Sequence, residues 1–511
     1  MMKIFIFVIL FFHFNASFAQ KPKLRWGADI ESGAPFSYTD PADHKTVIGF
    51  EVEIVELLAK EMGMEVEYVQ NSWDGLIAGL NRNDYDIVVN GLEITPDRAQ
   101  VVHFSKPYYY TSESLVVRAS NTNVATLDDL KNKRVGTLDG SLAQRILNQL
   151  TFPLTVVGYD EEIHSYSDLV IGRLDAVLLD EAIALYYAKP NIELKVVGGP
   201  IGYMEYGVVT RLNDPKFSRR VDAALEKIIE NGSVQRILEK WNLWNAMSAK
   251  AWGKSAEPLT PPVAYDKYIS EAWKKETIVQ KLKRYASFLP LLGKGAIMTL
   301  EISTISMVLA MILGLLTALA RLYGHPVVKW LAVAYVEVFR GTPLLIQLYL
   351  IFYGLPYVGL TLDPFVAAVL GLGLNYGSCE AENYRAGILS IPKTQMDAAQ
   401  ALGMNWFQSL RHIILPQAVK VVIPPVTNDF IALLKDSSLV SVISMVELTT
   451  VYGQLASSSF DYLGLGLLTA LVYFVIGLPF VRLARYFESQ LANNLPGEQR
   501  TRRARPKLFI F

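Results

Sequence analysis

The sequence predicts an α/β domain followed by an all-α membrane domain with five helices. Two observations carry this prediction. Short β-rich runs alternate with helical patterns between about residues 24 and 244, which favours an α/β sheet architecture. Long apolar runs dominate residues 292–490, and the longer ones reach the roughly 20 residues that a helix needs to cross a bilayer. The hydrophobic share of 51% over 511 residues is therefore an average of two unlike halves.

The first nineteen residues are predicted to form a secretory signal peptide. Lys3 precedes an apolar run at 4–12, and residues 17–19 (Ser-Phe-Ala) have the small-x-small pattern of a cleavage site. A retained membrane anchor is the alternative, although the run is short for a span. Either way, the residues after Gln20 are expected to leave the cytoplasm.

Five apolar runs define the membrane domain. They are residues 297–320, 330–353, 364–376, 421–434 and 463–480. Lysines and arginines follow the first, third and fifth runs, whereas the loops at 354–363 and 449–462 carry none, so the basic loops should be cytoplasmic. Pro424 and Pro425 are expected to break the fourth helix, which is tolerated only where protein or water covers the backbone.

Composition excludes several classes of function. The 48 basic and 49 acidic residues give a net charge of −1, so nothing favours nucleic acid as a partner. Cys379 is the only cysteine, which rules out an intramolecular disulfide and a thiolate metal cluster. No nucleophile–base constellation points to an enzyme. Residues 253–255 (Gly-Lys-Ser) lack the upstream glycine of a phosphate-binding loop, because position 248 is Ser248.

The segment between the third and fourth runs has a pattern of its own. Asp397, Ala398 and Ala399 precede Gly403, and residues 414–418 read Ile-Leu-Pro-Gln-Ala. This pattern predicts two short helices joined at Gly403, where a residue without Cβ permits a tight turn and the close approach of a partner. The small alanines leave room for a docking surface.

This order closely resembles the Glu-Ala-Ala loop of ATP-binding-cassette (ABC) importer permeases, with Asp397 where that family usually has glutamate. Residues 339–343 (Phe-Arg-Gly-Thr-Pro) and 435–439 (Lys-Asp-Ser-Ser-Leu) are similar to the polar amino-acid branch of those permeases. The resemblance implies that Asp397, Ala398, Ala399 and Gly403 contact a separate cytoplasmic ABC ATPase dimer, which binds the ATP. The present chain would then hold no cofactor and would act as a homodimer.

The α/β half resembles the periplasmic amino-acid-binding proteins of bacterial solute-binding family 3. The match covers nearly all of residues 24–244 and includes 73–77 (Trp-Asp-Gly-Leu-Ile) and 94–98 (Ile-Thr-Pro-Asp-Arg). It implies a two-lobed, periplasmic binding protein-like domain whose lobes close on an amino acid across paired hinge strands, near 114–118 and 200–210. Ligand sites between such lobes commonly lie at the carboxyl ends of strands.

A zwitterionic ligand needs a cation for its carboxylate and an anion for its ammonium group. The resemblance makes Arg98 the carboxylate clamp, a role that a guanidinium fork suits well. It makes Asp180 the ammonium acceptor, with Glu181 as the second candidate. Ser141 and Leu142 would add donors to the carboxylate from the start of a helix.

Trp73 would form an apolar wall of the site, with a core tryptophan as the alternative. The predicted ligand-binding set is Asp29, Trp73, Gly91, Glu93, Arg98, Ser141, Leu142 and Asp180. Two departures from the family bear on the ligand. Glu93 stands where the family usually places serine or threonine, so it favours a cationic side chain or strengthens ammonium binding. Residues 29–36 are one residue longer than usual and lack the customary stacking aromatic residue.

These features predict an importer subunit that captures an amino acid outside the inner membrane and carries the translocation pathway. The predicted segments are a signal peptide at 1–19, an amino-acid-binding domain at 20–244, a linker at 245–291, a transmembrane permease domain at 292–490 and a basic cytoplasmic tail at 491–511. The binding domain is expected in the periplasm or extracellular space. The alternative is an amino-acid-gated channel or a sensory receptor with the same binding fold.

Overall fold

In a computed structural model of the chain, the structure describes residues 21–30, 33–40, 46–273, 277–459 and 461–493. The predicted signal peptide and most of the predicted basic tail lie outside these residues. Within them, an α/β domain is followed by a helical domain, which confirms the predicted fold class.

Ten strands form the sheets of the α/β domain within the described residues. They are β1 (Lys23–Ala28), β2 (Tyr38–Thr39), β3 (Val47–Ile48), β4 (Glu65–Gln70), β5 (Ile87–Val88), β6 (His103–Arg118), β7 (Arg134–Leu138), β8 (Thr155–Tyr159), β9 (Ala176–Asp180) and β10 (Leu194–Thr210). Eight of them build one sheet in the order β4-β1-β5-β10-β6-β9-β7-β8, and β2 pairs with β3.

The long strands β6 and β10 connect two lobes. β1 pairs in parallel with β4 and β5 on one side, and β7 pairs in parallel with β8 and β9 on the other. Between them, β6 and β10 pair antiparallel and are 16 and 17 residues long. At about 3.3 Å per residue, such strands reach through both lobes, so they overlap the segments predicted as hinges.

In the part of the chain that the structure describes, ten α-helices accompany these strands. They are α1 (Phe50–Glu61), α2 (Leu76–Asn81), α3 (Pro96–Ala99), α4 (Leu142–Asn148), α5 (Glu162–Val170), α6 (Glu181–Ile183), α7 (Pro215–Glu230), α8 (Ser233–Lys240), α9 (Ala246–Ala251) and α10 (Val263–Ala272). Helix α7 shows why they form where they do: the Asp214 side chain accepts from the Phe217 N–H at 3.1 Å, and Pro215 occupies the first turn.

The predicted linker at 245–291 is largely helical. It contains α9, α10 and the start of the first membrane helix. Tyr268 of α10 is buried, and its ring lies 5.0 Å from that of Tyr186 and 5.7 Å from that of Tyr38 between ring centroids. Aromatic packing of this kind fixes α10 to the binding domain, so little of the segment is a free connection.

The helical domain contains nine helices within the described residues. They are α11 (Ile278–Tyr323), α12 (Pro326–Gly341), α13 (Leu344–Tyr349), α14 (Pro364–Leu389), α15 (Lys393–Ala401), α16 (Trp406–Ser409), α17 (Leu415–Asp436), α18 (Leu448–Ser459) and α19 (Tyr462–Asn493). The five predicted apolar runs coincide with α11, the α12–α13 pair, α14, α17 and α19. By length and composition alone, α11 and residues Tyr462–Phe487 are suited to cross a membrane.

The second predicted run is not one continuous helix. Helix α12 and residues Leu344–Val358 are bent by 109° at the break, and together they would make a third span. Thr342 is extended there because the following Pro343 disfavours the helical conformation of the residue before it. The Gln347 side chain donates to the carbonyls of Phe339 at 2.8 Å and Thr342 at 3.0 Å. This amide replaces backbone bonds that the break removes.

The prediction that the fourth helix breaks at its prolines is wrong. Helix α17 continues through Pro424 and Pro425. A proline removes one backbone hydrogen bond, but packing can hold the flanking turns together, so the helix need not end. Here α17 packs against α14 and α19, and the rings of Phe430 and Phe480 lie 4.6 Å apart.

Candidate functional site

The two lobes enclose a pocket whose polar lining is mainly acidic. Its volume is about 30 Å³, enough for one or two water molecules or a compact polar group. Its polar lining includes Asn90, Glu93, Glu113, Ser141, Glu162 and Asp180. Trp73, Phe36 and Tyr206 contribute the aromatic part of the wall. The residues that form it come from both lobes, as a ligand cleft requires.

Arg98 is paired with a carboxylate of the protein itself. Its guanidinium forms an ion pair with the Glu93 carboxylate through Nη1 and donates to the Glu93 carbonyl at 3.2 Å. The Leu142 N–H donates to the other Glu93 carboxylate oxygen at 3.2 Å. The structure therefore brings together Arg98, Leu142 and Glu93, and the two predicted donors face Glu93.

Ser141 has a local role in the structure. Its hydroxyl donates to the Leu138 carbonyl at 2.7 Å and accepts from the Gln144 N–H at 3.2 Å, which caps helix α4. The residue still lines the pocket. These two hydrogen bonds of the Ser141 hydroxyl fix the turn that presents the Leu142 N–H.

Asp180 ends strand β9 and points one oxygen into the pocket. Its Oδ1 accepts from the Ala182 N–H at 2.8 Å and from the Thr111 hydroxyl at 3.3 Å, whereas Oδ2 is buried without a hydrogen-bond partner. Burial raises the pKa of Asp180 to about 8, and the nearby charges of Glu181 and Glu93 add to this. Glu181 itself accepts from the Ser112 hydroxyl at 3.1 Å.

The remaining predicted residues support the pocket from one lobe. Asp29 accepts from the Trp73 N–H and from the Gln70 side chain, each at 2.9 Å, so it positions the tryptophan. The Trp73 indole N–H donates to the Asn90 carbonyl at 3.2 Å. Gly91 has φ +60° and donates its N–H to Glu51 at 2.7 Å, a backbone conformation that favours glycine.

Two acids of the pocket were not predicted from the sequence. Glu113 lies on β6, and Glu162 begins α5; each has a buried Oε2 without a hydrogen-bond partner. Burial and the neighbouring carboxylate Asp180 raise the pKa of both well above the usual range. Glu113 lies one residue before the predicted hinge strand, and an acid in a buried strand is costly enough to be a signal. Among the described residues, no group of three or more His, Cys, Asp or Glu residues is arranged to hold a metal ion.

The cleft faces the helical domain across a second cavity of about 630 Å³. Trp73 and Arg98 line it from the binding domain, and Tyr349, Ser444 and Tyr452 line it from the helical domain. Trp73 therefore borders both spaces. The inner pocket therefore lies beside a space that is bounded by both the binding domain and the helical domain.

Both lobes of the binding domain contact the helical domain. In one lobe, Arg82 donates to the Phe352 carbonyl at 3.0 Å, and its guanidinium carbon lies 3.4 Å from the centre of the Phe352 ring. In the other lobe, the His164 ring lies 4.7 Å from the Tyr462 ring. The first contact joins residues 270 positions apart in the chain.

The predicted coupling loop is an exposed turn between α15 and α16. Gly403 has φ +85°, and a Cβ at this position would have no atom of the described residues within 4 Å, so the open side of the turn is free of neighbouring groups. Asp397 and Ala398 are exposed on α15, whereas Ala399 is buried. Leu402 and Phe407 flank the turn and are 84% and 62% exposed.

Comparisons with known proteins agree with this architecture. Residues 24–243 match the family described as bacterial extracellular solute-binding proteins, family 3, and residues 310–493 match binding-protein-dependent transport system inner membrane components. The L-cystine transport system permease protein TcyB of Bacillus subtilis is 42% identical over 37% of this chain and 82% of its own length. The L-cystine-binding protein TcyJ of Escherichia coli is 34% identical over 40% of this chain and 78% of its own length.

A third relative is the arginine transport system permease protein ArtQ of Bacillus subtilis, 34% identical over 40% of this chain and 94% of its own length. These relatives are two transporter permeases and one binding protein, which favours the importer over a channel or a receptor. The permease match and the apolar helices make the chain an inner-membrane protein. The chain thus belongs to the amino-acid ABC transporters, and it unites a family 3 solute-binding domain with an inner-membrane permease domain in one polypeptide.

Proposed function

We propose that this chain is the membrane subunit of an importer that is driven by a separate cytoplasmic ABC ATPase. The observation that carries the proposal is the surface around Gly403. Asp397, Ala398 and Gly403 are exposed there, and two large apolar side chains, Leu402 and Phe407, are exposed beside them. Exposed apolar groups clustered around a polar turn are typical of a surface that a protein partner covers.

Two helices link this surface to the docked binding domain. Helix α14 has 26 residues, so it is about 39 Å long, enough to cross the roughly 30 Å hydrocarbon core of a bilayer. Helix α17 runs back from the coupling loop toward Ser444, which contacts Asn71 of the binding domain. A movement of the coupling loop can therefore reach the face on which the solute is delivered.

Loop charge supports a cytoplasmic coupling loop and an external binding domain. Lys393 and Arg411 flank the coupling loop, whereas residues 354–363 at the other end of α14 carry no lysine or arginine. This is the asymmetry expected of a loop that stays inside. Since one chain supplies one coupling loop, two copies of the chain would serve the two halves of an ATPase dimer.

The substrate is proposed to be a small solute of the amino-acid class with a cationic group. Support comes from the pocket, where Glu113, Glu162 and Asp180 each present an unpaired oxygen. Asp180 is proposed as the acceptor for the ammonium group. The relatives described above are named for L-cystine and for arginine.

Reconstitution tests the importer directly. The full chain, purified with whatever ATPase copurifies from its native membrane, is placed in proteoliposomes and supplied with labelled lysine, arginine and their decarboxylated amines. Uptake of at least one of these solutes should require both the ATPase and ATP. Uptake that persists after the ATPase is stripped away would instead support the channel.

A further inference from the structure

We propose that Glu93 is a built-in replacement for a ligand carboxylate, so that the pocket recognises amines and guanidines that need no carboxylate of their own. This inference rests on the proposed function in one respect, namely that this pocket is the one that supplies the permease. The substrate is then a compact organic cation whose positive group enters the inner pocket.

The first observation is that the carboxylate clamp is already filled. One Glu93 carboxylate oxygen pairs with Arg98, and the other accepts from the Leu142 N–H at 3.2 Å. Glu93 is buried, and Arg98 is largely so. A ligand carboxylate would have to displace Glu93 and leave it without its cation, which is costly for a buried anion.

The second observation is a set of acceptors that lack donors. Glu113 and Asp180 are 2% and 8% exposed, line the pocket, and each has an oxygen without a hydrogen-bond partner. Glu162 adds a third such oxygen. Buried acceptors are rarely left unpaired in proteins. An ammonium group brings three N–H donors and a guanidinium five, and neither brings an acceptor.

The third observation concerns size and charge. The inner pocket has a volume of about 30 Å³ and is lined by four acids, of which Glu93 is paired with Arg98. In an α-amino acid the carboxylate and the amino group are bonded to the same carbon, so the two groups enter together. The ligand carboxylate then meets the acids that line the pocket. A terminal amine or guanidine can enter alone. The rest of such a ligand would extend past Trp73 into the cavity of about 630 Å³ that faces the helical domain.

The test compares amino acids with the amines that differ from them only by the carboxylate. Binding of arginine against agmatine, and of lysine against cadaverine, is measured by calorimetry on the full chain in lipid nanodiscs. Agmatine and cadaverine should bind no more than threefold weaker than their amino acids. If both amines bind more than threefold weaker than their amino acids, or if neither amine binds, the inference is overturned. Tighter binding of glutamine or glutamate than of the amines would also overturn it.

Variants at position 93 supply the second arm. Glu93→Thr frees Arg98 and the Leu142 N–H, so arginine should gain at least tenfold over agmatine relative to the unmodified chain. Glu93→Gln keeps the shape and should shift the ratio in the same direction. The matched control is Glu67→Thr, which removes an acid from β4 that pairs with Lys23 at 3.4 Å, away from the pocket lining. An unchanged ratio in folded Glu93 variants contradicts the proposal.

The binding experiments and the uptake experiment can fail independently of each other. Ligand preference is a property of the pocket, whereas ATP-dependent uptake is measured in proteoliposomes. If the amines bind as expected but uptake needs no ATPase, the importer proposal fails and the substrate class stands.

Discussion

Among individual residues, the pairing of Arg98 with Glu93 sets the chemistry of the pocket. The sequence identified both residues as members of the site, but it assigned Glu93 to the ligand's cationic part. In the structure the Glu93 carboxylate forms an ion pair with Arg98 instead. The net result is a pocket in which unpaired carboxylate oxygens outnumber unpaired donors among the described lining residues.

The Arg98–Glu93 pair should be mutually dependent. Arg98→Ala leaves a buried carboxylate without its cation, so the free energy of unfolding should fall by about 3–5 kcal/mol. The double variant Arg98→Ala/Glu93→Thr should recover much of this loss, because both buried charges are gone. Thermal unfolding of the full chain, followed by tryptophan fluorescence, measures both. Equal melting temperatures for the single and double variants would show that the pair is not coupled.

Binding of a cation should release protons near pH 7. Because the pKa of Asp180 is raised to about 8 by burial, its carboxyl is mostly protonated at pH 7, and a bound ammonium group favours the ionised form. Affinity for agmatine should therefore rise with pH, by up to about tenfold per unit, and level off above pH 8. Calorimetry in two buffers of different ionisation enthalpy counts the protons.

The control for proton release is Asp180→Asn, which keeps the oxygen that accepts from the Ala182 N–H. It should lower the number of protons released. The same number in the variant and the unmodified chain would assign the released proton to another pocket acid.

At the scale of single elements, the break between α12 and Leu344–Val358 shapes the docking face. Pro343 ends one helix, and the Gln347 amide satisfies the carbonyls that the break leaves open. The chain then continues through a wide helical turn at Leu350–Gly354, which presents the Phe352 carbonyl and ring to Arg82. A bend in one element of the helical domain thus creates the surface on which the binding domain docks.

Removing the Arg82 contact should loosen docking without changing the pocket. Arg82→Ala removes a hydrogen bond from a charged donor and a cation–π contact, together about 2 kcal/mol. Amide hydrogen exchange in residues 350–358 should accelerate by about 30-fold. Affinity for agmatine should stay the same. Lys23→Ala, an exposed cation in the same lobe, is the control, and equal exchange in both variants would remove Arg82 from the interface.

Across the entire chain, the proposed capture site and the proposed coupling turn lie toward opposite ends of α14 and α17. The binding domain covers one end, and the turn at Gly403 is exposed at the other. The two sites share no residue, so they should respond to mutation independently.

Gly403→Val should abolish uptake and spare binding. Valine at φ +85° costs on the order of 1 kcal/mol or more in backbone strain, and its branches would fill the open side where the ATPase is proposed to approach. Uptake in proteoliposomes should collapse, while the affinity for agmatine stays constant. Gly359→Val is the matched control, since Gly359 has φ +84° and an equally open side at the other end of α14. Equal losses of uptake in the two variants would place the coupling contact elsewhere.

Features that depend on local pattern could be predicted from the sequence alone. Alternating β-rich and helical runs indicated the α/β domain, and the five apolar runs indicated where helices of the second domain lie, because periodicity and length are properties of contiguous residues. The turn at Gly403 was predictable for the same reason, since a residue without Cβ at a helix end suits a positive φ. These elements and the family membership follow from residues that are neighbours in the chain.

Which distant side chains meet depends on the tertiary structure. It paired Glu93 with Arg98 and brought Glu113, Glu162 and Asp180 from separate elements into one pocket. It also kept α17 continuous through two prolines, because packing against α14 and α19 outweighs a local helix-breaking tendency. The physical reason is common to all three: the energy of a buried charge or a packed helix depends on its neighbours in space, which no local pattern records.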